Sequence, residues 1–137
     1  MIVFNAVTDF DLENETNVFE WIQFVIDQEG FDLGELNYIF SDDDYLLQVN
    51  INYLNHHTLT DIISLDYTVG TLVSGDIYIS VDRIKDNAAD FNVSFKDELH
   101  RVMVHGVLHY CGYKDKSEEE KKLMRSKEDY YLSLRQF

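Results

Sequence analysis

The sequence predicts an α+β fold: a small mixed β-sheet of about four strands packed by about five helices, in a single domain spanning residues 1–137. Three observations support this. The 137 residues, 45% of them hydrophobic, suffice for one well-packed core and are too few to expect two. Strand and helix patterns alternate in the first half, and helical patterns fill most of the second half. No repeat, proline or linker interrupts the chain.

The first half begins with a strand and a helix. Ile2–Ala6 predicts a short strand, and Asn14–Gln28 predicts an amphipathic helix with Gly30 just beyond its end. Apolar residues recur on this helix at helical spacing. We therefore expect the following side chains in the core: Val18, Trp21, Ile22 and Val25.

Three further segments have the apolar pattern that is typical of β-strands. Leu36–Phe40 predicts the second strand, after which Ser41 and the aspartates that follow it cap a second helix reaching about Tyr53. Thr60–Asp66 predicts a third strand, and Ser74–Ser80 a fourth that follows a glycine turn. We expect the fourth to be an edge strand lining a groove over the site described below.

The second half predicts three helices. The first extends from Ser80 to about Ala89. The second is capped by Ser94 and held in the core by its apolar residues, which are Phe95, Leu99, Val102, Met103 and Val107. Ser117 with Glu120 forms a capping box that opens a terminal helix to about Leu134. We expect its apolar face to consist of Leu123, Tyr130, Tyr131 and Leu134.

The strongest chemical signal is the spacing HxxxHxxGxxD at residues 105–115. His105 and His109 lie four residues apart on the core helix, so both imidazoles can face one ion. Gly112 can end the helix in a left-handed conformation, and the chain beyond it can present Asp115 to the same ion. Three protein ligands leave one position for water, as in catalytic zinc sites. We predict one zinc ion per chain on a helix like that of zinc metalloproteases.

Two other interpretations of this segment stay open. His105 and His109 could be ordinary helix histidines, but one geometry explains both of them together with the glycine and the aspartate. A zinc protease would use the same ligands, but Gly106 stands where such enzymes carry a glutamate as general base. The catalytic group is therefore expected to be water bound to the metal, and the general base is unknown.

The same segment resembles the signature HGxLHxxGYDH of the YbeY family, metal-dependent single-strand endoribonucleases of bacteria. The matching residues are His105, Gly106, Leu108, His109, Gly112 and Tyr113. Lys114 replaces the family's aspartate, and Asp115 replaces its third histidine. The resemblance implies the YbeY architecture and hydrolysis of phosphodiester bonds in single-stranded RNA. It further implies roles in maturation of the 3′ end of small-subunit ribosomal RNA and in ribosome quality control.

A second segment, residues 50–65, is similar to another block of the family. There the resemblance implies an arginine near the metal, directly after Tyr53, but this chain has Leu54. An arginine would pair with substrate phosphate. We expect His56, His57 or Arg101 to supply the missing contact.

Charge and composition limit the partners. The net charge of −15 argues against nonspecific binding to nucleic acid. Residues 1–82 hold sixteen acids and no lysine or arginine, whereas residues 83–137 hold ten acids and all eleven bases, so the site lies in a nearly neutral half. The acidic half is a candidate surface for basic ribosomal proteins.

The location is predicted from what the sequence lacks. Its first residues, Met1–Ala6, lack a basic region and a long apolar run, and nowhere do eighteen apolar residues follow one another. Its single cysteine, Cys111, cannot form an internal disulfide. These features predict a cytoplasmic protein with no membrane partner. A non-catalytic protein that docks on the ribosome and keeps a vestigial metal site is the remaining alternative.

Overall fold

The computed structural model describes every residue from Met1 to Phe137. It contains four strands and five helices, in agreement with the predicted α+β class. In chain order they are β1 (Ile2–Ala6), α1 (Glu15–Gln28), β2 (Asp32–Ser41), α2 (Asp43–Leu54), β3 (Ile62–Asp66), β4 (Leu72–Ser80), α3 (Val81–Phe91), α4 (Phe95–Tyr110) and α5 (Glu118–Ser133).

The strands form one mixed sheet in the order β1-β2-β4-β3. β1 pairs with β2 and β2 with β4 in parallel, whereas β3 pairs with β4 in the antiparallel direction. Side chains alternate between the two faces of the sheet. Ile77 and Ile79 of β4 therefore point into the main core, whereas Tyr78 packs with the smaller cluster under α2.

Helices α1 and α4 cover the main face of the sheet. All four residues predicted for the core face of α1 are buried, so the helical spacing of its apolar residues correctly predicted which face packs on the sheet. Trp21 on this helix donates a hydrogen bond from Nε1 to the carbonyl oxygen of Tyr131, at 2.9 Å, and so joins α1 to α5. None of the five helices combines the length and the apolar run needed to cross a bilayer.

The prediction that Ser74–Ser80 is an edge strand was wrong. β4 lies between β2 and β3, and it is β3 that forms the edge beside it. The pairing depends on contacts between residues far apart in sequence, such as Tyr38 with Ile77. Local alternation cannot reveal such contacts.

The predicted apolar face of α5 was also wrong in three of its four positions. Leu123, Tyr130 and Leu134 are 51%, 50% and 39% exposed. The buried face consists of Met124, Glu128 and Tyr131. A carboxylate thus lies on the inner side of the helix, and its partners are in the site described below.

Three predicted caps can be compared with the structure. Ser94 caps α4 as predicted, and its side chain accepts a hydrogen bond from the Asp97 amide. Asp42, rather than Ser41, caps α2, because its side chain accepts a hydrogen bond from the Tyr45 amide, while Ser41 is the buried last residue of β2. The capping box of Ser117 and Glu120 is present at the start of α5. It fixes where α5 begins, directly after the segment that carries Asp115.

Candidate metal centre

Helix α4 holds the two histidines on a rigid element. Its residues Met103, Val104, Val107 and Leu108 have no exposed surface. Movement of the helix would therefore disturb the centre of the core.

Gly106 faces the sheet. A Cβ atom there would lie 3.0 Å from Cδ1 of Ile77 and 3.1 Å from Cδ1 of Ile62. The close packing of helix on sheet explains why a small residue follows His105, since a larger one would require both isoleucine side chains to shift. The position therefore carries no general base, and this absence weighs against the protease alternative.

The end of α4 directs the chain back toward the histidines. Gly112 has φ +98°, a conformation that costs glycine little. The Gly112 amide donates to the carbonyl of His109 and the Tyr113 amide to the carbonyl of Leu108, both at 3.0 Å, which is the Schellman arrangement. The turn brings Asp115, four-tenths of whose side chain is exposed, beside the imidazoles.

Three side-chain atoms converge at this point. His105 Nε2 and His109 Nε2 lie 3.0 Å apart, and each lies 3.3 Å from Oδ2 of Asp115. The three residues form the group in the chain whose atoms could hold a metal ion. The structure thus brings together all three predicted ligands.

Hydrogen bonds fix both imidazoles with Nε2 toward this triangle. His105 Nδ1 donates to Oε2 of Glu128 at 2.7 Å, and His109 Nδ1 donates to the carbonyl oxygen of Tyr113 at 2.9 Å. A carboxylate and a carbonyl can only accept, so each Nδ1 carries a proton, and in the neutral form of each ring the lone pair lies on Nε2. That tautomer is the one a metal ligand requires.

Glu128 is a residue of the site that sequence reasoning missed. It is 4% exposed, and Arg101 Nη1 donates to its Oε1 at 3.0 Å. Burial lowers the pKa of His105, but the hydrogen bond and charge of Glu128, with Asp115 and Asp61, outweigh burial and raise it. The available signal was the spacing of Glu128 with Met124 and Tyr131, which places it on the inner face of α5.

A cleft of about 360 Å³ adjoins the triangle. Its walls include His105, Asp115 and Arg101, together with residues of α3, α5 and the start of β3. Arg101 is held by Glu128 and, at 2.7 Å, by Asp129. The structure therefore places Arg101 near the triangle but with its guanidinium already paired.

His56 and His57 are not brought to this cleft. Both are exposed in the loop between α2 and β3, and neither lines the cleft. Leu54, which replaces the arginine expected from the resemblance, is the last residue of α2 and is 41% exposed.

Two acids of the cleft wall have perturbed pKa values. Burial raises the pKa of Asp61, whose Oδ2 accepts a hydrogen bond from Asn87 at 3.3 Å. Burial likewise raises the pKa of Glu98, which is 4% exposed.

Fold and site together define a small α+β domain in which two histidines of the core helix and an aspartate beyond its end form a cluster that could hold a metal ion. Comparisons with known proteins extend this description. The family model described as Endoribonuclease YbeY matches residues 4–135. The protein named Endoribonuclease YbeY from Flavobacterium johnsoniae is 59% identical over 134 residues, which covers 98% of this chain and 96% of that protein. The protein of the same name from Cytophaga hutchinsonii is 47% identical over 135 residues, covering 98% and 94%.

A solved structure shows the same architecture. The solution structure of TM1509 from Thermotoga maritima aligns with a TM-score of 0.71 and 25% sequence identity, covering 97% of this chain and 87% of that one. The chain belongs to the YbeY endoribonuclease family. The resemblance noted in the sequence is thereby confirmed.

Proposed function

We propose that the protein is a zinc-dependent endoribonuclease that hydrolyses phosphodiester bonds in single-stranded RNA. Family membership supports the reaction and the substrate. The observation that carries the proposal is the triangle formed by His105, His109 and Asp115, with edges of 3.0 to 3.3 Å.

The donor set fits zinc. Tetrahedral bonds of 2.0 to 2.1 Å from a zinc ion place neighbouring donor atoms about 3.3 Å apart, close to the edges of the triangle. Two imidazole nitrogens and one carboxylate oxygen are donors that zinc accepts, and one position stays open. When bound, zinc supplies Lewis acidity toward a phosphoryl oxygen and makes water more acidic.

The chain's own residues orient the site. Glu128 and the Tyr113 carbonyl hold the two imidazoles, and Arg101 keeps Glu128 in place. The fixed imidazoles need no reorganisation when RNA arrives, which is the arrangement that favours catalysis. The proton acceptor for the attacking water is not assigned to any side chain.

The cellular role proposed is maturation of the 3′ end of small-subunit ribosomal RNA and ribosome quality control in the cytoplasm. The family resemblance supports this role. The sixteen acids of residues 1–82 support contact with basic ribosomal proteins.

Cleavage of an unstructured oligoribonucleotide tests the proposal. Zinc-loaded protein should cleave it, the His109→Ala variant should lose nearly all activity, and a His57→Ala control should match the wild type because His57 lies outside the cleft. A perfect RNA duplex of the same sequence should resist cleavage. Equal rates for His109→Ala and wild type would refute the enzyme proposal and favour a vestigial site.

A further inference from the structure

The cleft beside the triangle has a charge distribution of its own. Glu98 and Glu128 are each only 4% exposed, so their carboxylates are recessed in the wall. Lys121 and Arg125 also line the cleft, but 57% of each side chain is exposed. The two bases are therefore more exposed than Asp115, the exposed acid of the wall, whose side chain is 40% exposed and belongs to the triangle.

Lys121 and Arg125 are free to take a ligand, unlike Arg101. Arg101 makes two close contacts with carboxylates and is 22% exposed. Arg125 approaches the Glu128 carboxylate only at 3.9 Å, and Lys121 approaches the exposed Glu118 only at 3.7 Å. The Lys121 pair is exposed on both sides, and pairs of that kind contribute little to stability. The Arg125 guanidinium is itself exposed and lies beyond hydrogen-bond distance of Glu128, so both bases can turn toward an anion at low cost.

An exposed aromatic ring faces the same cleft. Phe91 is the last residue of α3, lines the cleft and is 59% exposed. Asn92 follows it in the left-handed conformation, with φ 56°, and the Val93 amide donates to the Ala88 carbonyl at 3.0 Å. The helix end is therefore fixed, and the ring is presented by a rigid element.

A single-stranded nucleic acid carries the two kinds of group that would bind the exposed basic side chains and the exposed ring of this cleft. Its phosphates attract lysine and arginine, and its unpaired bases stack on aromatic rings. In a single strand every base is attached to a phosphate, so one nucleotide can contact the ring and a basic side chain of α5 together. The cleft opens onto His105 and Asp115, so a strand held at its rim would pass the predicted metal ligands.

We propose that this cleft is a nucleotide subsite for RNA, in which Lys121 and Arg125 bind backbone phosphate and Phe91 stacks on one base. The inference rests on the proposed endoribonuclease function and deepens it. The subsite replaces the phosphate contact that Leu54 cannot make, and it assigns that contact to the α5 bases instead of His56, His57 or Arg101.

Binding of a labelled oligoribonucleotide to metal-free protein tests the subsite without cleavage. Phe91→Ala should weaken binding roughly five- to hundredfold, the range expected when a base stack is removed. The double variant Lys121→Gln/Arg125→Gln should weaken binding and reduce the slope of log affinity against log salt by about 0.7 for each phosphate that the protein no longer neutralises. Lys122→Gln, an exposed base of the same helix outside the cleft, and Tyr67→Ala, an exposed ring outside it, should each leave affinity unchanged.

An abasic scan of the RNA distinguishes stacking from a structural effect. For the wild type, removing one base should weaken binding as much as Phe91→Ala does, and removing that base should have no further effect on the variant. Additive losses at every position would overturn the assignment of Phe91. Equal losses for Lys122→Gln and the double variant would overturn the assignment of phosphate to Lys121 and Arg125.

The two proposals fail in different ways. If zinc-loaded wild type does not cleave RNA, the endoribonuclease proposal fails. If the wild type cleaves RNA while both cleft variants bind it as the wild type does, only the subsite is refuted.

Discussion

Replacing Glu128 by glutamine exchanges one acceptor oxygen for an amide that can only donate. The native carboxylate accepts from His105 Nδ1 at 2.7 Å and from Arg101 Nη1 at 3.0 Å. A glutamine oxygen can keep one of these donors, and the amide group then faces the other. Either His105 loses the hydrogen bond that fixes its tautomer, or Arg101 loses a partner inside the cleft wall.

The magnitude follows from these hydrogen bonds. Removing the hydrogen bond behind a metal-ligating histidine typically lowers metal affinity 10- to 100-fold. A buried donor left without an acceptor costs about 1 to 3 kcal/mol of the free energy of unfolding. We therefore expect the Glu128→Gln variant to show both effects, with the stability loss present in metal-free protein.

The assay is competition for zinc against a chromophoric chelator, paired with urea unfolding in chelator. Asp129→Asn is the matched control, because Asp129 contacts only the other end of Arg101 and is 58% exposed in its side chain. This control should change stability by less than about 1 kcal/mol. A folded Glu128→Gln variant whose zinc affinity stays within twofold of the wild type would refute the positioning role.

Two further results follow from packing and burial. In Gly75→Ala, the new Cβ would lie 2.5 Å from the Leu65 carbonyl oxygen and 2.7 Å from the Tyr110 hydroxyl, so urea unfolding should show a loss of roughly 3 kcal/mol. In Gly30→Ala the new Cβ meets no atom within 4 Å, and the only cost is the φ of +80°, so the free energy of unfolding should fall by about 1 to 2 kcal/mol. Equal losses in the two variants would contradict the close packing at Gly75. Burial, with nearby positive charge, lowers the pKa of His100 to about 4 from 6.5. As the pH falls below 6.5, His100 becomes protonated in the unfolded chain but stays neutral in the folded one. The free energy of unfolding should therefore fall by about 1.4 kcal/mol per pH unit from pH 6.5 toward pH 4. His100→Gln should remove that part of the pH dependence of the urea midpoint, and identical profiles would contradict it.

The sequence was sufficient where the information is local. The face of α1, the turn at Gly112 and the grouping of His105 with His109 and Asp115 depend on residues within a few positions of one another. Helical periodicity and turn chemistry describe such neighbours well. The family signature added the reaction class, which no spacing alone provides.

The sequence was insufficient where contacts join distant segments. Glu128 lies 23 residues from His105 and on a different helix, so only packing of α5 against α4 brings the two together. The large apolar residues of α5 predicted the wrong buried face, because the face that packs against the core includes the carboxylate of Glu128. The central position of β4 and the cleft between α3 and α5 depend on the same kind of long-range contact.

Metal content tests the central claim most directly, because every proposed step requires one ion held by three side chains. Elemental analysis of zinc-loaded, dialysed protein should give one zinc per wild-type chain. Asp115→Ala should retain clearly less, since it removes one of three protein ligands, while His56→Ala should retain as much as the wild type. Equal zinc content in wild type and Asp115→Ala would contradict the proposed site.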